Sequence, residues 1–168
     1  GYGLRDTADQ YLAGLWEQAG SISADTDVNS LNAYEMLLAL KEVLDEANVP
    51  AEGRWCVIPP WFETKLLLAE VLVENTTNEA WTNGRVGRCA GFTIHKSNNV
   101  DTNGGGTHHQ IMAGTREAIS FAQQISKVEA YRPESAFSDA VKGLHLYGAK
   151  VVMPACLAVG SFHEIAEP

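Results

Sequence analysis

Apolar positions recur with a helical period from the start of the chain. Leu4, Ala8, Tyr11, Leu12, Leu15, Trp16 and Ala19 share one stripe, and Arg5, Asp6, Asp9, Gln10, Glu17 and Gln18 take the opposite face. The pattern predicts an amphipathic helix over residues 4–19. Gly1-Tyr2-Gly3 supplies no Ser, Thr, Asp or Asn to cap its first turn, so the expectation is a helix that continues upstream in a longer protein. "SISADTDVNS" reads as a polar loop. A second helix follows at about 31–48, with Leu31, Tyr34, Leu37, Leu38 and Leu44 on one face and Met36, Leu40 and Val43 as a second edge. Asn32 and Glu35 have capping-box spacing, Ser30 is a second cap candidate, and "NVP" ends the helix.

The period then changes. "RWCVI" is a short unbroken apolar run that reads as a buried strand, and Pro60 suits the first position of a helix, "PWFETKLLLAEVL", with Trp61, Phe62, Leu66 and Leu67 as its apolar side. "ENTTNEAWTNG" reads as loop or a brief helical turn. In "RVGRCAGFTIHKSNN", Phe92 and Ile94 alternate with Thr93 and His95 in strand fashion, and "NVDTNGGGTHH" is the clearest loop. "QIMAG" looks like a strand, "TREAISFAQQ" fits helix and strand alike, and "ISKVEAYRPE" alternates weakly. "FSDAVKGLHLYGAKVVMPACLAVG" suggests strands broken at Gly148 and Pro154. Helices first, then strands and helices mixed, make an α+β chain with no internal repeat.

Composition narrows the classes. A chain of 168 residues, 45% hydrophobic, is long enough for one domain with a real core. Its 12 Lys and Arg stand against 21 Asp and Glu, a formal net charge of −9, and no basic run interrupts it. That balance argues against a protein built to grip nucleic acid or an anionic membrane. The apolar runs are too short to span a bilayer and no signal-peptide pattern is present. Cys56, Cys89 and Cys156 form no C-x-x-C pair and read as free thiols of a reducing compartment, so a soluble intracellular protein is expected.

The candidate chemistry gathers around "GGGTHH". His108 and His109 point to opposite faces if extended, and His95 lies too far upstream to complete a known zinc spacing. The glycines lack the Lys and helix start of a phosphate loop, and no G-x-S-x-G elbow exists. Flexibility at an exposed loop tip explains them more simply, and His108→Ala and His109→Ala are expected to leave folding intact. Cys56, between Trp55 and Val57, reads as core rather than nucleophile. No cofactor is expected. One alternative reading remains a small intracellular hydrolase or metalloenzyme using His95, His108, His109 and a cysteine; another is a small-ligand binding domain.

Three blocks carry a resemblance. "VPAEGRWCVIPPWFETKLL", "GRVGRCAGFTIHKSNNV" and "AISFAQQISKVEAYRPESAFSDAVKGLHLYGAKVVMPACLAV" resemble, in order and spacing, consecutive blocks of the major capsid (coat) protein of tailed bacteriophages, from about Leu4 to Val159. The resemblance implies the phage major-capsid fold, an axial domain plus part of a peripheral domain. Residues 1–20 would be the C-terminal part of its spine helix, 21–140 the axial domain, and 141–168 the returning strands and C-terminal tail. The family's N-terminal arm and long hairpin would precede residue 1, so a C-terminal fragment is implied.

It further implies a structural protein without turnover, self-assembling into an icosahedral shell that encloses the genome. Its partners would be copies of itself, in pentamers and hexamers, and a scaffolding protein, with no specific nucleic-acid binding and no membrane. Its place would be the virion capsid, assembled in the host bacterial cytoplasm. The loop "NNVDTNGGGTHH" falls where the family carries an axial-domain loop near a symmetry axis. Asn98, Asn99, Asp101, Asn103 and His108 are therefore the candidate subunit-contact residues. A spine helix docked through its stripe predicts that Trp16→Ala costs about 3–5 kcal/mol.

Overall fold

The structure, a computed structural model, describes residues 2–69, 85–103, 105–131 and 140–168. Helices α1 (Tyr2–Ala13), α2 (Ala33–Glu46) and α3 (Pro60–Leu68) accompany strands β1 (Ser21–Ile22), β2 (Thr26–Val28), β3 (Trp55–Ile58), β4 (Arg85–Cys89), β5 (Phe92–Lys96), β6 (His109–Gly114), β7 (Ile119–Tyr131), β8 (Ala140–Val151) and β9 (Leu157–Glu164). The main sheet runs β1-β9-β6-β3-β5-β4, with β2 also on β9, and β7 and β8 form a separate two-stranded sheet. This is the α+β class expected. "ENTTNEAWTNG", the end of the third helical pattern and "RPESAFSD" fall on or partly on residues outside the described ones.

Strand alternation assigns the two faces of the sheet. The pairs Ile111 with Gly160, Ala113 with Ala158 and Cys56 with Ala113 lie on one face, together with Ile58, Ile94 and Phe162. That face is covered by α2 and α3. Phe62 of α3 stacks on Phe162 with ring centroids 5.9 Å apart, and α2 buries Ala33, Leu37, Leu40 and Leu44 at helical spacing. The opposite face carries Val57, Met112, Gln110, Val159 and Ser161, with α1 beside it. Burial from both sides explains why "QIMAG" reads as an unbroken apolar run rather than an alternating one.

Two buried cations fasten the helices. Arg54 lies 2.7 Å from Asp45 and donates to the carbonyls of Val49 (2.6 Å) and Pro50 (2.9 Å), tying the end of α2 to the start of β3. Lys65 is 5% exposed; its ammonium meets Glu167 at 2.6 Å and Glu164 at 3.5 Å, and donates to the Ile165 carbonyl. The hydrogen bond from Lys65 holds the Glu167 carboxyl below the usual carboxylate range, and Glu167 in turn raises the Lys65 pKa. The C-terminal tail is thereby latched to α3, and Ser30 donates to the same carboxylate.

Several expectations are corrected. The first helix is α-helical only to Ala13, after which Gly14–Gln18 tightens into a 3₁₀ turn; Gly14 and the change of direction toward β1 explain the break. "SISADTDVNS" is not all loop: Ser21–Ile22 and Thr26–Val28 pair in parallel with β9, satisfying that strand's outer edge through backbone groups that no side-chain pattern reports. The Asn32–Glu35 capping box does not form. Asn32 adopts helix-like angles, and its side chain turns back to accept from the Asn29 amide and donate to the Asp27 carbonyl. Leu31 sits ahead of the helix and is 76% exposed. The helix end owes less to Pro50 than to Asn48 at φ 55°: the Asn48 amide donates to the Asp45 carbonyl and the Val49 amide to Leu44, a Schellman closure. β8 runs through Gly148, which pairs with Ala122, while the break at Pro154 is present as a 3₁₀ turn.

Gly114, opposite Leu157, marks where β6 and β9 approach most tightly, since a Cβ there would stand 2.5 Å from the Cys156 carbonyl oxygen. Gly114→Ala is expected to destabilise the protein by about 1–3 kcal/mol through forced separation of the strands. Urea unfolding checks it, and an unchanged midpoint would show that β6 and β9 can part without cost.

Candidate functional site

The loop between β5 and β6 is built on its own chain. Ser97 donates its amide to the Ile58 carbonyl and accepts from the Asn99 amide, which starts the turn off the sheet. Asn99 then reaches α1, its amide nitrogen 2.8 Å from the Asp6 carboxylate. Asp101 accepts from the Trp16 indole N–H at 2.8 Å and from the Thr102 amide at 2.9 Å, while the Gln110 amide donates to the Asp101 carbonyl. Asn103 closes the loop: its amide donates to the His108 carbonyl and its side-chain oxygen accepts from the His108 amide. Among the five candidate contact residues, Asn98 is the exposed one; Asn99, Asp101, Asn103 and His108 are part-buried and turned toward their own chain. Gly105, Gly106 and Thr107 form the exposed tip.

Beneath the loop lies a polar cluster that the sequence reading did not single out. Ser161 donates to Asp25 and accepts from the Gln110 side-chain amide at 3.0 Å. The Asp25 carboxylate lies 4.0 Å from His108 Nδ1. His163 Nδ1 donates to the Thr107 carbonyl at 2.8 Å, and its ring stands 5.3 Å from that of His108. Asp25 belongs to a polar stretch and His163 to the chain end, and neither has a neighbour in sequence that marks it. Only the parallel pairing of β2 with β9 brings the two together.

The histidines of the alternative enzymatic reading do not converge. His109 is in strand β6 rather than the loop, a correction that follows from its pairing with Phe162. Its Nδ1 accepts from the Trp61 indole N–H at 3.2 Å, and burial lowers its pKa, so the ring is held neutral. His108 faces His163 instead, and His95 lines the α1 side of the sheet. No group of three or more His, Cys, Asp or Glu side chains among the described residues stands close enough to hold a metal ion. All three cysteines are buried, and burial pushes the Cys56 and Cys89 thiols upward, away from the thiolate a nucleophile needs.

Between α1 and the sheet is a cavity of about 300 Å³, walled by Leu12, Val57, Val100 and Met112, with Asp9 and Gln110 as polar members.

No family model matches the chain, and no curated protein matches it. Solved structures do. One from Mycobacterium phage Che8 is 26% identical with a TM-score of 0.76, over 95% of this chain and 59% of that one. The capsid structure of cyanophage P-SCSP1u is 19% identical with a TM-score of 0.71, over 97% of this chain and 63% of that one. The mature capsid of bacteriophage PhiM1 is 15% identical with a TM-score of 0.66, over 93% of this chain and 60% of that one. The fold is that of phage capsid proteins. The chain spans less than two thirds of the length of each of these structures.

The loop is attached to α1 by the Asn99–Asp6 bond and to the 3₁₀ turn behind it by the Trp16–Asp101 bond. Trp16 is half-buried rather than enclosed, because it sits in the 3₁₀ turn and not on the helical stripe. Trp16→Ala is therefore expected to cost about 2–3 kcal/mol, less than full burial implies, and Trp16→Phe about 1 kcal/mol through the lost hydrogen bond. Chemical denaturation distinguishes them, and equal costs would mean that the hydrogen bond contributes nothing.

Half-buried His109, whose pKa is lowered by desolvation, gives a pH dependence whose sign is fixed. Because its folded pKa is depressed, the unfolded chain takes up a proton first, so stability is intact above the ordinary histidine pKa and falls as pH drops below it. Unfolding midpoints measured from about pH 7.5 to about pH 5 should decline, and less steeply in His109→Phe. Identical slopes would remove His109 as the cause.

Proposed function

We propose that this chain is a structural part of a phage capsid subunit that self-assembles into an icosahedral shell enclosing a genome. The observation that carries the reading is the fold match over nearly the whole chain. On this reading residues 1–20 are the end of the spine helix, 21–140 the axial domain and 141–168 the returning segment. In support, the end of β8 runs back beside the first helix: Tyr11 donates to the Ala149 carbonyl, and the Val151 amide to Gln18. The segment then enters the sheet as β9. The loop carrying Asn98, Asn99, Asp101, Asn103 and His108 meets neighbouring copies through its exposed parts, Asn98 and the 105–107 tip. Its part-buried members hold the loop in shape.

The partners on this reading are copies of the chain, in pentamers and hexamers, and a scaffolding protein during assembly. The site is the virion capsid, formed in the bacterial cytoplasm. A net charge of −9 suits a wall that encloses nucleic acid without gripping it. No helix among the described residues is long and apolar enough to cross a membrane.

Electron microscopy of the protein expressed from its complete native reading frame tests the reading. Closed shells or sheets of hexamers are expected, and Asn98→Trp should lower their yield without lowering the melting temperature. A particle that stays small at high concentration, with candidate scaffolding protein added, would overturn the capsid function. Stoichiometric zinc surviving dialysis would instead favour the metalloenzyme.

A further inference from the structure

We propose that His108 and His163 together bind an exchangeable divalent transition-metal ion, zinc by the chemistry of the pair, which clamps the loop between β5 and β6 to strand β9. The site does not depend on the capsid reading. Its origin is the register of β6 on β9. His109 pairs with Phe162, so the next position on each strand sets His108 opposite His163. Alternation sends these two to the sheet face that carries Ser161, while His109 and Phe162 take the other. Opposed side chains of an antiparallel pair are close neighbours, and the two rings stand 5.3 Å apart, centre to centre.

That separation suits a shared ion. With Zn–N bonds of about 2.0–2.1 Å and a tetrahedral angle between them, two imidazole centres on one ion stand about 5 Å apart. Their nitrogens are also prepared. His163 donates from Nδ1 to the Thr107 carbonyl at 2.8 Å, which leaves the lone pair of the neutral ring on Nε2. His108 Nδ1 lies 2.9 Å from the Thr107 hydroxyl oxygen and 4.0 Å from the Asp25 carboxylate. A carboxylate on that side favours the proton on Nδ1, so Nε2 again carries the lone pair. Asp25 is itself held by the Ser161 hydroxyl and, at 3.5 Å, by the Asn103 side-chain amide. A carbonyl behind one imidazole and a carboxylate behind the other is the outer arrangement that orients histidine toward a metal.

Two imidazoles also set which ion binds and how firmly. Ring nitrogens suit zinc and its neighbours in the first transition row, whereas magnesium and calcium take oxygen. Both rings reach solvent in part, so water can fill the remaining positions. No third His, Cys, Asp or Glu ligand joins them among the described residues, and a resident zinc centre uses three or four. The ion is therefore exchangeable, unlike the zinc of a metalloenzyme. Its effect is mechanical. His108 follows the exposed 105–107 tip, and an ion shared with His163 ties that tip to a strand already paired on both edges.

The test titrates zinc chloride into untagged, chelator-treated protein carrying nitrogen-15 histidine. Saturable movement of the His108 and His163 Nε2 resonances together, at one ion per chain, is expected, with His95 unmoved and magnesium without effect on any ring. His108→Asn and His163→Asn should each abolish saturation, His109→Phe should retain it, and Asp25→Asn, which keeps both rings, should weaken binding about tenfold. Saturating zinc should raise the melting temperature of wild type and leave that of His163→Asn unchanged.

Movement of one ring alone, an equal response to magnesium, or zinc binding by a folded His163→Asn as tight as wild type overturns the two-histidine site. Because the wild-type titration reads each ring separately, it decides the site even where a variant fails to fold. Saturable binding without a rise in melting temperature overturns the clamp. Zinc retained at one per chain through dialysis against a chelator overturns the exchangeable ion. Failure to form shells would overturn the capsid reading and leave the zinc result standing.

Discussion

Residues 157–164 carry ladders on both edges at once, β6 on one and the short strands β1 and β2 on the other, and the rest of the molecule is arranged around that requirement. A strand paired on both edges and covered on both faces has no polar backbone group to spare, and six of its eight residues, Leu157–Phe162, are buried. The side chains follow from this. Phe162 must find an aromatic partner and has Phe62; Ser161 must find polar partners on the other face and has Asp25 and Gln110. Because β9 lies near the C-terminus, the main sheet is completed only by the end of the chain, and the Lys65–Glu167 latch fastens the last residues beyond it.

That long-range closure separates what the sequence shows from what it hides. Local signals were sufficient where an element makes its own case. "RWCVI", "QIMAG", the Pro60 helix start and the Phe92/Ile94 alternation all correspond to elements at those places, and α2 differs only at its ends. The hairpin of β4 and β5 was not read from the sequence; Ala90 and Gly91 are both at positive φ in its tight turn. The signal failed where pairing decides. Ser21–Ile22 and Thr26–Val28 are polar, short and strand-forming only because β9 offers an unfilled edge, and no property of those residues announces it. Gly148 illustrates the reverse: a residue that ordinarily interrupts a strand is carried through by a twelve-residue ladder with β7.

The candidate site was legible to the same extent. The loop 97–108 is recognisable from its Asn, Asp and Gly content, and it stands where it was expected between two strands. What each residue does there was not legible, because the partners are far away in sequence: Asp6 for Asn99, Trp16 for Asp101, Asp25 near His108. Side chains of a type associated with catalysis or metal binding are committed to shaping the loop. His109 illustrates the point, since a strand position and an indole donor remove from it the availability that its place after three glycines suggested.

Among the described residues, the polar groups of the molecule's loop and C-terminal tail are largely occupied in holding their shape. Its thiols are buried, His109 bonds to Trp61, His163 to the Thr107 carbonyl, and His108 lies against the His163 ring. Its buried cations, Arg54 and Lys65, join one element to the next. Such internal bonding makes a rigid body, and rigidity is what a repeated contact requires. On the proposed capsid reading the same surface meets its neighbour in the same way many times, and any looseness in the loop or tail is multiplied around the ring.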